Sequence, residues 1–167
     1  SFLSLTQNWI YHQIAANTEC DAIVFCRLRE NESLFPLDGV YPAYAAHSPG
    51  ARIDGLVSRL FARYSTGRFR QIIERERPRL IHCHFGWEPW RNRVLIDRGG
   101  FPLVTTFYGL DVTRMPRKKC WRRRYRWIFR RSSAILVEGP HMAETLEKQG
   151  CPREKIHVVK IGVPLGP

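Results

Sequence analysis

The chain has 167 residues, 44% hydrophobic and 25% charged, which is typical of one globular domain and unlike a disordered chain. No apolar stretch reaches the roughly 20 residues that cross a bilayer, and the first residues lack the basic lead and apolar run of a secretory signal. The five cysteines are scattered, with no Cys-x-x-Cys pair. Neither a zinc ribbon nor a disulfide framework is therefore predicted, and a cytoplasmic setting is favoured.

The positive charge of the chain is concentrated in one segment. The formal net charge is +12, and residues 114–131 contain eight arginines, two lysines and no acid. The rest of the chain carries 17 basic residues against 15 acidic ones. The protein is therefore nearly neutral apart from one strongly basic segment, which predicts an anionic partner there.

The first half of the chain predicts helices with one or two short strands. Apolar residues recur at helical intervals in three places, and β-formers cluster in a short apolar run. The helices are predicted at 5–17, 52–64 and 67–77, and the strands at 22–28 and 40–41. Residues between 29 and 50 are broken by prolines and glycines, so the remainder of that stretch is predicted to be loop.

The second half alternates regularly between short strands and helices. The strands are predicted at 79–85, 102–107, 134–138 and 155–161, and the helices at 88–100, 114–131 and 140–150. Apolar strands that alternate with helices predict βαβ units. The predicted fold is therefore α/β, a Rossmann-like doubly wound parallel sheet with helices on both faces.

Ligands of such sheets bind beyond the carboxyl ends of the strands. The predicted strands end at His84-Phe85-Gly86, Tyr108-Gly109-Leu110-Asp111, Glu138-Gly139-Pro140 and Ile161-Gly162. Asp111 and Glu138 are the only acids there. Either could bind a hydroxyl-rich ligand, and Glu138 could act as a general base, but either could equally cap a helix or pair with an arginine.

His82 and His84 lie two residues apart on a strand and therefore share one face. A metal site would need a third ligand, and none lies at a supporting spacing, so no metal is predicted. His82 is expected to pack under a helix, and His84 to hydrogen-bond at the strand end or reach a ligand. The sequence has neither a Gly-x-Gly-x-x-Gly nor a Walker motif, so no cofactor is predicted within this chain.

The basic segment is amphipathic when drawn as a helix. An apolar stripe predicted to face the core contains Trp121, Tyr125, Ile128 and Phe129. The opposite, solvent side contains Lys119, Arg123, Arg126 and Arg130. Trp127 lies off the stripe among arginines. An exposed tryptophan there would suit an anionic membrane surface or base stacking, and arginine stems that cover the ring are the structural alternative.

Several segments occur in the order and spacing of a known family. "RLIHCHFG", "FPLVTTFYGLDV" and "ILVEGPHMAETLEKQGCPREKIHVVKIGV" resemble the N-terminal, acceptor-side domain of family-4 (group 1) glycosyltransferases of the GT-B fold. The likeness extends from about residue 5 to 163 and is specific after residue 78. Residues 1–167 are therefore expected to form one N-terminal domain whose first strand and C-terminal donor-binding domain lie outside the sequence.

The resemblance implies retaining transfer of a sugar from a nucleotide-sugar donor to a glycan or lipid-linked acceptor, as in exopolysaccharide or cell-surface glycan synthesis. The donor would be held mainly by the C-terminal domain, so the 167-residue chain alone is expected to be inactive. The enzyme would lie in the cytoplasm, peripheral to the inner membrane face. A basic module that binds nucleic acid or anionic membrane through residues 114–131 is the alternative, and another GT-B enzyme such as a phosphorylase or epimerase is a further one.

The resemblance also implies which residues meet the substrate. They are expected to be His84, Gly86, Tyr108, Gly109, Asp111, Glu138 and Gly139. Membrane or anionic-acceptor contacts are expected from Lys119, Arg123, Arg126, Trp127 and Arg130. Tyr108 stands where many members have a histidine, and a phenol is a poor base at neutral pH, so no catalytic residue is assigned. Pro164 replaces the aspartate of the family's closing motif.

Overall fold

The computed structural model describes residues 2, 8–44, 49–50, 52–53, 56 and 67–162. The helices with defined bounds are α1 Asn8–Ala15, α2 Gly67–Glu76, α3 Glu88–Arg91, α4 Arg93–Gly99, α5 Leu110–Thr113, α6 Lys119–Arg131 and α7 Pro140–Lys148. The strands are β1 Val24–Cys26, β2 Val40–Pro42, β3 Ile81–His84, β4 Leu103–Phe107, β5 Ala134–Val137 and β6 Ile156–Val158. Most of the helix predicted at 52–64, and the last residues of the family motif at 163–167, lie outside the described residues.

All strand pairs are parallel, which confirms the predicted α/β, Rossmann-like class. Strands β3, β4, β5 and β6 form one sheet in that order. Strands β1 and β2 pair separately, with Val24 opposite Val40. Within the described part of the chain the predicted sheet is thus divided into a four-stranded and a two-stranded sheet.

One face of the four-stranded sheet carries the main hydrophobic core. Leu103 and Phe107 of β4 and Val137 of β5 point to this face and are fully buried, in keeping with the two-residue period of a strand. The apolar stripe of α6 packs in one cluster with Phe107 and Val137, and its four predicted residues are all buried. Leu103 packs in a neighbouring cluster with Cys83 and Ile96. Thr105 on the same face satisfies its hydroxyl 3.0 Å from the hydroxyl of Ser132.

The opposite face of the same sheet is only partly covered. His82 and His157 on it are exposed, and Val104 and Leu136 are half-buried. The prediction that His82 packs under a helix is therefore wrong. Its Nε2 instead lies 2.7 Å from the hydroxyl of Thr106 on the neighbouring strand, and this hydrogen bond satisfies the ring at the surface.

The helix predicted over 88–100 is interrupted, and the last strand is short. Asn92 adopts φ −100° and ψ 12°, which separates α3 from α4. Its side-chain amide donates to the carbonyl of Glu88 at 3.0 Å, a local bond by which asparagine competes with regular helix. A 3-10 turn, Arg153–Lys155, includes the first residue of the strand predicted at 155–161, and β6 ends at Val158, three residues before the predicted end.

The first part of the described chain packs as a smaller unit around β1 and β2. Its cluster of buried residues contains Phe2, Ile10 and Cys26. Phe25 of β1 packs on Phe69 of α2 with ring centroids 5.0 Å apart. Phe85, directly after β3, also contacts this cluster. The two sheets therefore meet near the carboxyl end of β3, where the candidate site lies.

Candidate functional site

A pocket of about 430 Å³ opens at the carboxyl ends of the four-stranded sheet. It is lined by Trp9, Phe85, Trp87, Tyr108, Leu110, Glu138 and Ile161. Every strand of this sheet contributes through the segment that follows it, and α1 contributes Trp9. The edge predicted from the sequence is therefore a concave surface of the size that small-molecule sites have.

Asp111 ties the first two strand ends together beneath the pocket. Its side chain is fully buried. One carboxylate oxygen accepts the N–H of Gly86 at 2.7 Å, and the other accepts the N–H groups of Tyr108 and Gly109 at 2.9 Å each. Burial raises the pKa of Asp111, and these backbone N–H groups oppose that rise. In this arrangement Asp111 positions the loops and presents no exposed oxygen to a ligand, in contrast to the expected direct contact.

Two of the glycines at the strand ends are required by the structure, each for a different reason. A Cβ atom at Gly86 would overlap the ring of Phe107, so the close approach of this loop to the core requires glycine. Gly109 has φ 119°, a conformation that other residues rarely adopt. Gly139 has extended backbone with open space around its Cα. These three positions shape the walls, and none of them is among the residues that line the pocket.

Tyr108 lines the pocket, and its hydroxyl is hydrogen-bonded to His84. The hydroxyl of Tyr108 lies 2.6 Å from Nδ1 of His84, a hydrogen bond in which either group can donate. Burial, with a smaller effect from neighbouring His82, lowers the pKa of His84 to about 3. Burial raises the pKa of Tyr108 to about 12. Both groups are therefore neutral at pH 7, and Tyr108 can donate or accept a hydrogen bond without acting as a base.

Glu138 supplies the carboxylate of the pocket. It follows β5 and is half-buried, and burial together with the charge of Asp111 raises its pKa. No other described residue forms a hydrogen bond or ion pair with it. Of the two acids predicted at the strand ends, Glu138 is thus the one whose oxygens remain available to a ligand.

The sequence reasoning missed most of the apolar lining. Trp9 and Trp87 were not proposed as site residues, and Phe85, Leu110 and Ile161 were quoted at strand ends without a role. Trp87 lies one residue beyond Gly86, so extending the strand-end segment by one position would have included it. Trp9 comes from α1, more than 70 positions earlier in the chain, and no local pattern connects it to the site.

The predicted solvent side of α6 is part of a larger basic surface. Its members are the exposed basic residues of the segment, here named the basic face: Arg114, Arg117, Lys118, Lys119, Arg122, Arg123, Arg126 and Arg130. This face begins close to the pocket, because the N–H of Arg114 donates to the carbonyl of the pocket residue Leu110 at 2.9 Å. It then continues along α6 away from the site.

Trp127, for which the sequence left both an exposed and a covered position open, is not exposed. This ring is half-buried, packs against the two core clusters of the four-stranded sheet, and meets Trp90 edge-on with centroids 5.8 Å apart. The flanking Arg124 lies over the rings of Trp121 and Trp90 at 4.7 and 5.7 Å. Trp90 on α3 is the tertiary partner that draws Trp127 inward. The tryptophan therefore contributes to the packing of α6 against α3.

The fold is that of an α/β domain, and the pocket lies at the carboxyl edge of a parallel sheet, where domains of this class bind their ligands. A family model for glycosyltransferase family 4 matches residues 15–166, and the chain belongs to that family. It is also 36% identical over 61 residues to the "Putative colanic acid biosynthesis glycosyltransferase WcaL" of Escherichia coli (strain K12). That alignment covers 36% of this chain and 15% of the relative.

Among the described residues, no helix combines the length and the apolar character needed to cross a bilayer.

Proposed function

We propose that this chain is the acceptor-binding half of a retaining glycosyltransferase. The enzyme would move a sugar from a nucleotide-sugar donor to a glycan or lipid-linked acceptor in exopolysaccharide or cell-surface glycan synthesis. The observation that carries the proposal is a pocket at the carboxyl edge, lined by Tyr108 and Glu138, in a chain of glycosyltransferase family 4. The name of the similar Escherichia coli protein, which refers to colanic acid biosynthesis, supports the glycan assignment.

In the proposed reaction an acceptor hydroxyl oxygen bonds to the anomeric carbon of the donor sugar while the bond to the nucleoside diphosphate breaks. The proton of that hydroxyl passes to the leaving phosphate, so Tyr108 need not act as a base. Tyr108 would hydrogen-bond the acceptor, and the carboxylate of Glu138 would accept a hydrogen bond from an acceptor hydroxyl. His84 and Asp111 would hold Tyr108 in place.

The test is transfer by the full protein from a panel of nucleotide sugars, with the product detected by mass spectrometry and its anomeric configuration by NMR. Glu138→Gln is expected to lower kcat/KM by about tenfold or more, because a hydrogen bond to a charged group is lost. Glu144→Gln, which removes an exposed carboxylate on α7, is the matched control and should leave activity unchanged. Turnover by the 167-residue chain alone would contradict the proposed division of labour between two domains.

We also propose that the basic face attaches the enzyme to an anionic membrane surface by charge alone. Eight exposed cations form this face, and the aromatic side chains of α6 are buried or half-buried and thus not available for insertion. Each lysine or arginine near such a surface contributes about 1 kcal/mol. Binding should therefore weaken steeply with salt and should not require lipid packing defects.

Vesicle sedimentation with phosphatidylglycerol and with phosphatidylcholine tests this proposal. The triple change of Arg123, Arg126 and Arg130 to Gln is expected to weaken binding to anionic vesicles by at least about tenfold. The control removes three exposed cations elsewhere, Arg79, Arg98 and Lys148, and should have a much smaller effect. Tighter binding to a DNA or RNA duplex than to anionic vesicles would favour the nucleic-acid alternative.

A further inference from the structure

The pocket wall contains four aromatic rings arranged in a row, in which each ring contacts the next. Phe85 stacks on Trp87 with centroids 4.9 Å apart and an interplanar angle of 8°. Phe85 also meets Tyr108 at 5.0 Å, and Tyr108 meets Trp9 at 5.7 Å. We refer to Trp87, Phe85, Tyr108 and Trp9 as the aromatic row. These residues come from three separate parts of the chain, and all four line the same pocket.

Phe85 adopts a backbone conformation that is costly for its type. Its φ is 74°, in the left-handed region where a bulky side chain is a genuine outlier. The conformation is held by two backbone hydrogen bonds: its N–H donates to Thr106 at 2.9 Å, and its carbonyl accepts from Glu88 at 3.0 Å. Because such strain persists mainly at functional positions, the placement of this ring in the pocket wall suggests a ligand contact.

Aromatic faces carry partial negative charge and attract groups with partial positive charge. The C–H groups on one side of a pyranose ring are such groups, and the hydroxyls at its rim are donors that a carboxylate can accept. The pocket offers both features, the aromatic row and the carboxylate of Glu138. Leu110, 61% exposed, adds an apolar group at the lining.

A cation is the other ligand that an aromatic wall with a carboxylate can bind. The surroundings argue against it. The chain carries a net charge of +12, and Arg114 at the start of the basic face lies within one helical turn of Leu110. This positive field repels a cationic ligand and leaves an uncharged ring unaffected.

We propose that the aromatic row binds the C–H face of an uncharged hexopyranose of the acceptor, and that Glu138 accepts hydrogen bonds from its hydroxyls. This inference rests on the acceptor role proposed above and names the chemistry of the group that occupies the pocket. It assigns Trp87 and Phe85 to stacking and makes them determinants of acceptor specificity.

The test is saturation-transfer NMR and calorimetry on the full protein, without donor. The probes are methyl β-galactopyranoside, methyl β-glucopyranoside and methyl α-mannopyranoside, compared with tetramethylammonium and uridine. We expect at least one hexoside to bind, with saturation strongest on the C–H protons of one ring face. Trp87→Leu should weaken binding by about tenfold or more, and Trp87→Phe by no more than about threefold, because the stacking ring is retained.

Glu138→Gln provides a second variant if Trp87→Leu does not fold, and it should weaken hexoside binding by about tenfold. Absence of hexoside binding to the folded protein, hexoside binding that Trp87→Leu leaves unchanged, or tighter binding of tetramethylammonium or uridine would each overturn the inference. Hexoside binding without any sugar transfer would leave the stacking site standing and contradict the proposed activity. Sugar transfer without hexoside binding would overturn the stacking site and leave the proposed activity standing.

Discussion

The four-stranded sheet and the two-stranded sheet are both parallel, but the side chains in the core of the first are more deeply buried than those in the core of the second. The first is covered by α6 and α7, and its main cluster includes the fully buried residues Phe107, Ile128, Ile135, Val137 and Leu146. The second is surrounded by side chains that are mostly half-buried, and Ile10, at 3% exposure, is the most deeply buried member of its cluster. The difference implies that the strand ends which build the pocket belong to the more stable unit, because burial of apolar area is the main stabilising term.

The largest expected effect compares two isoleucines on helices of the two units. Ile128→Ala on α6 should lower the free energy of unfolding by about 2–5 kcal/mol, because the residue is fully buried and its cavity cannot easily collapse. Ile10→Ala on α1 should have an effect at or below the lower end of this range, since its neighbours are half-buried and can move. Urea denaturation of both variants measures the difference. Equal losses would show that the two units are equally well packed.

An intermediate effect is expected at the carboxylate that joins the strand ends. Asp111→Asn keeps one oxygen but places an amide group against a backbone N–H, so one buried donor loses its acceptor. We expect a loss of about 1–3 kcal/mol in unfolding free energy. Asp97→Asn changes an exposed acid 3.7 Å from Arg131 and should lose no more than about 1 kcal/mol. If Asp111→Asn is as stable as wild type, the buried carboxylate does not position the loops.

The smallest expected effect concerns pH. The folded protein holds His84 neutral with a pKa of about 3, whereas the unfolded chain has the ordinary value of 6.5. Between these two pH values the unfolded chain binds one proton more than the folded protein. The contribution of His84 to the free energy of unfolding is therefore complete above pH 6.5 and decreases as the pH falls. The loss is at most about 1.4 kcal/mol per pH unit.

The measurement is the midpoint of thermal unfolding between pH 7 and pH 5 for wild type and His84→Gln. Glutamine can still hydrogen-bond Tyr108 but does not titrate, so the variant should show a flatter acid limb. His141→Gln, at an exposed position on α7, is the control and should follow the wild-type curve. Identical curves for wild type and His84→Gln would mean that His84 is accessible to protons in the folded state.

Much of the fold could be predicted because the patterns are local. The strands β3 to β6 and the apolar stripe of α6 follow from apolar runs and a helical period, and the structure confirms both. The break at Asn92 could not be predicted, because it depends on the bond that this side chain makes to Glu88. The exposure of Trp127 could not be decided from the sequence for a similar reason, since its partner Trp90 lies on another helix.

The site, like the fold, has features that could be predicted from the sequence and others that depend on tertiary contacts. The sequence alone determined that strand ends with glycines, Tyr108 and Glu138 meet at one edge, because parallel strands bring their carboxyl ends together. Only the tertiary structure decided which acid remains available to a ligand. The carboxylate of Asp111 accepts hydrogen bonds from three backbone N–H groups, whereas Glu138 lines the pocket. Tertiary packing likewise brought Trp9 to Tyr108. Hydrogen-bond partners and aromatic neighbours depend on contacts between distant parts of the chain, which no local period encodes.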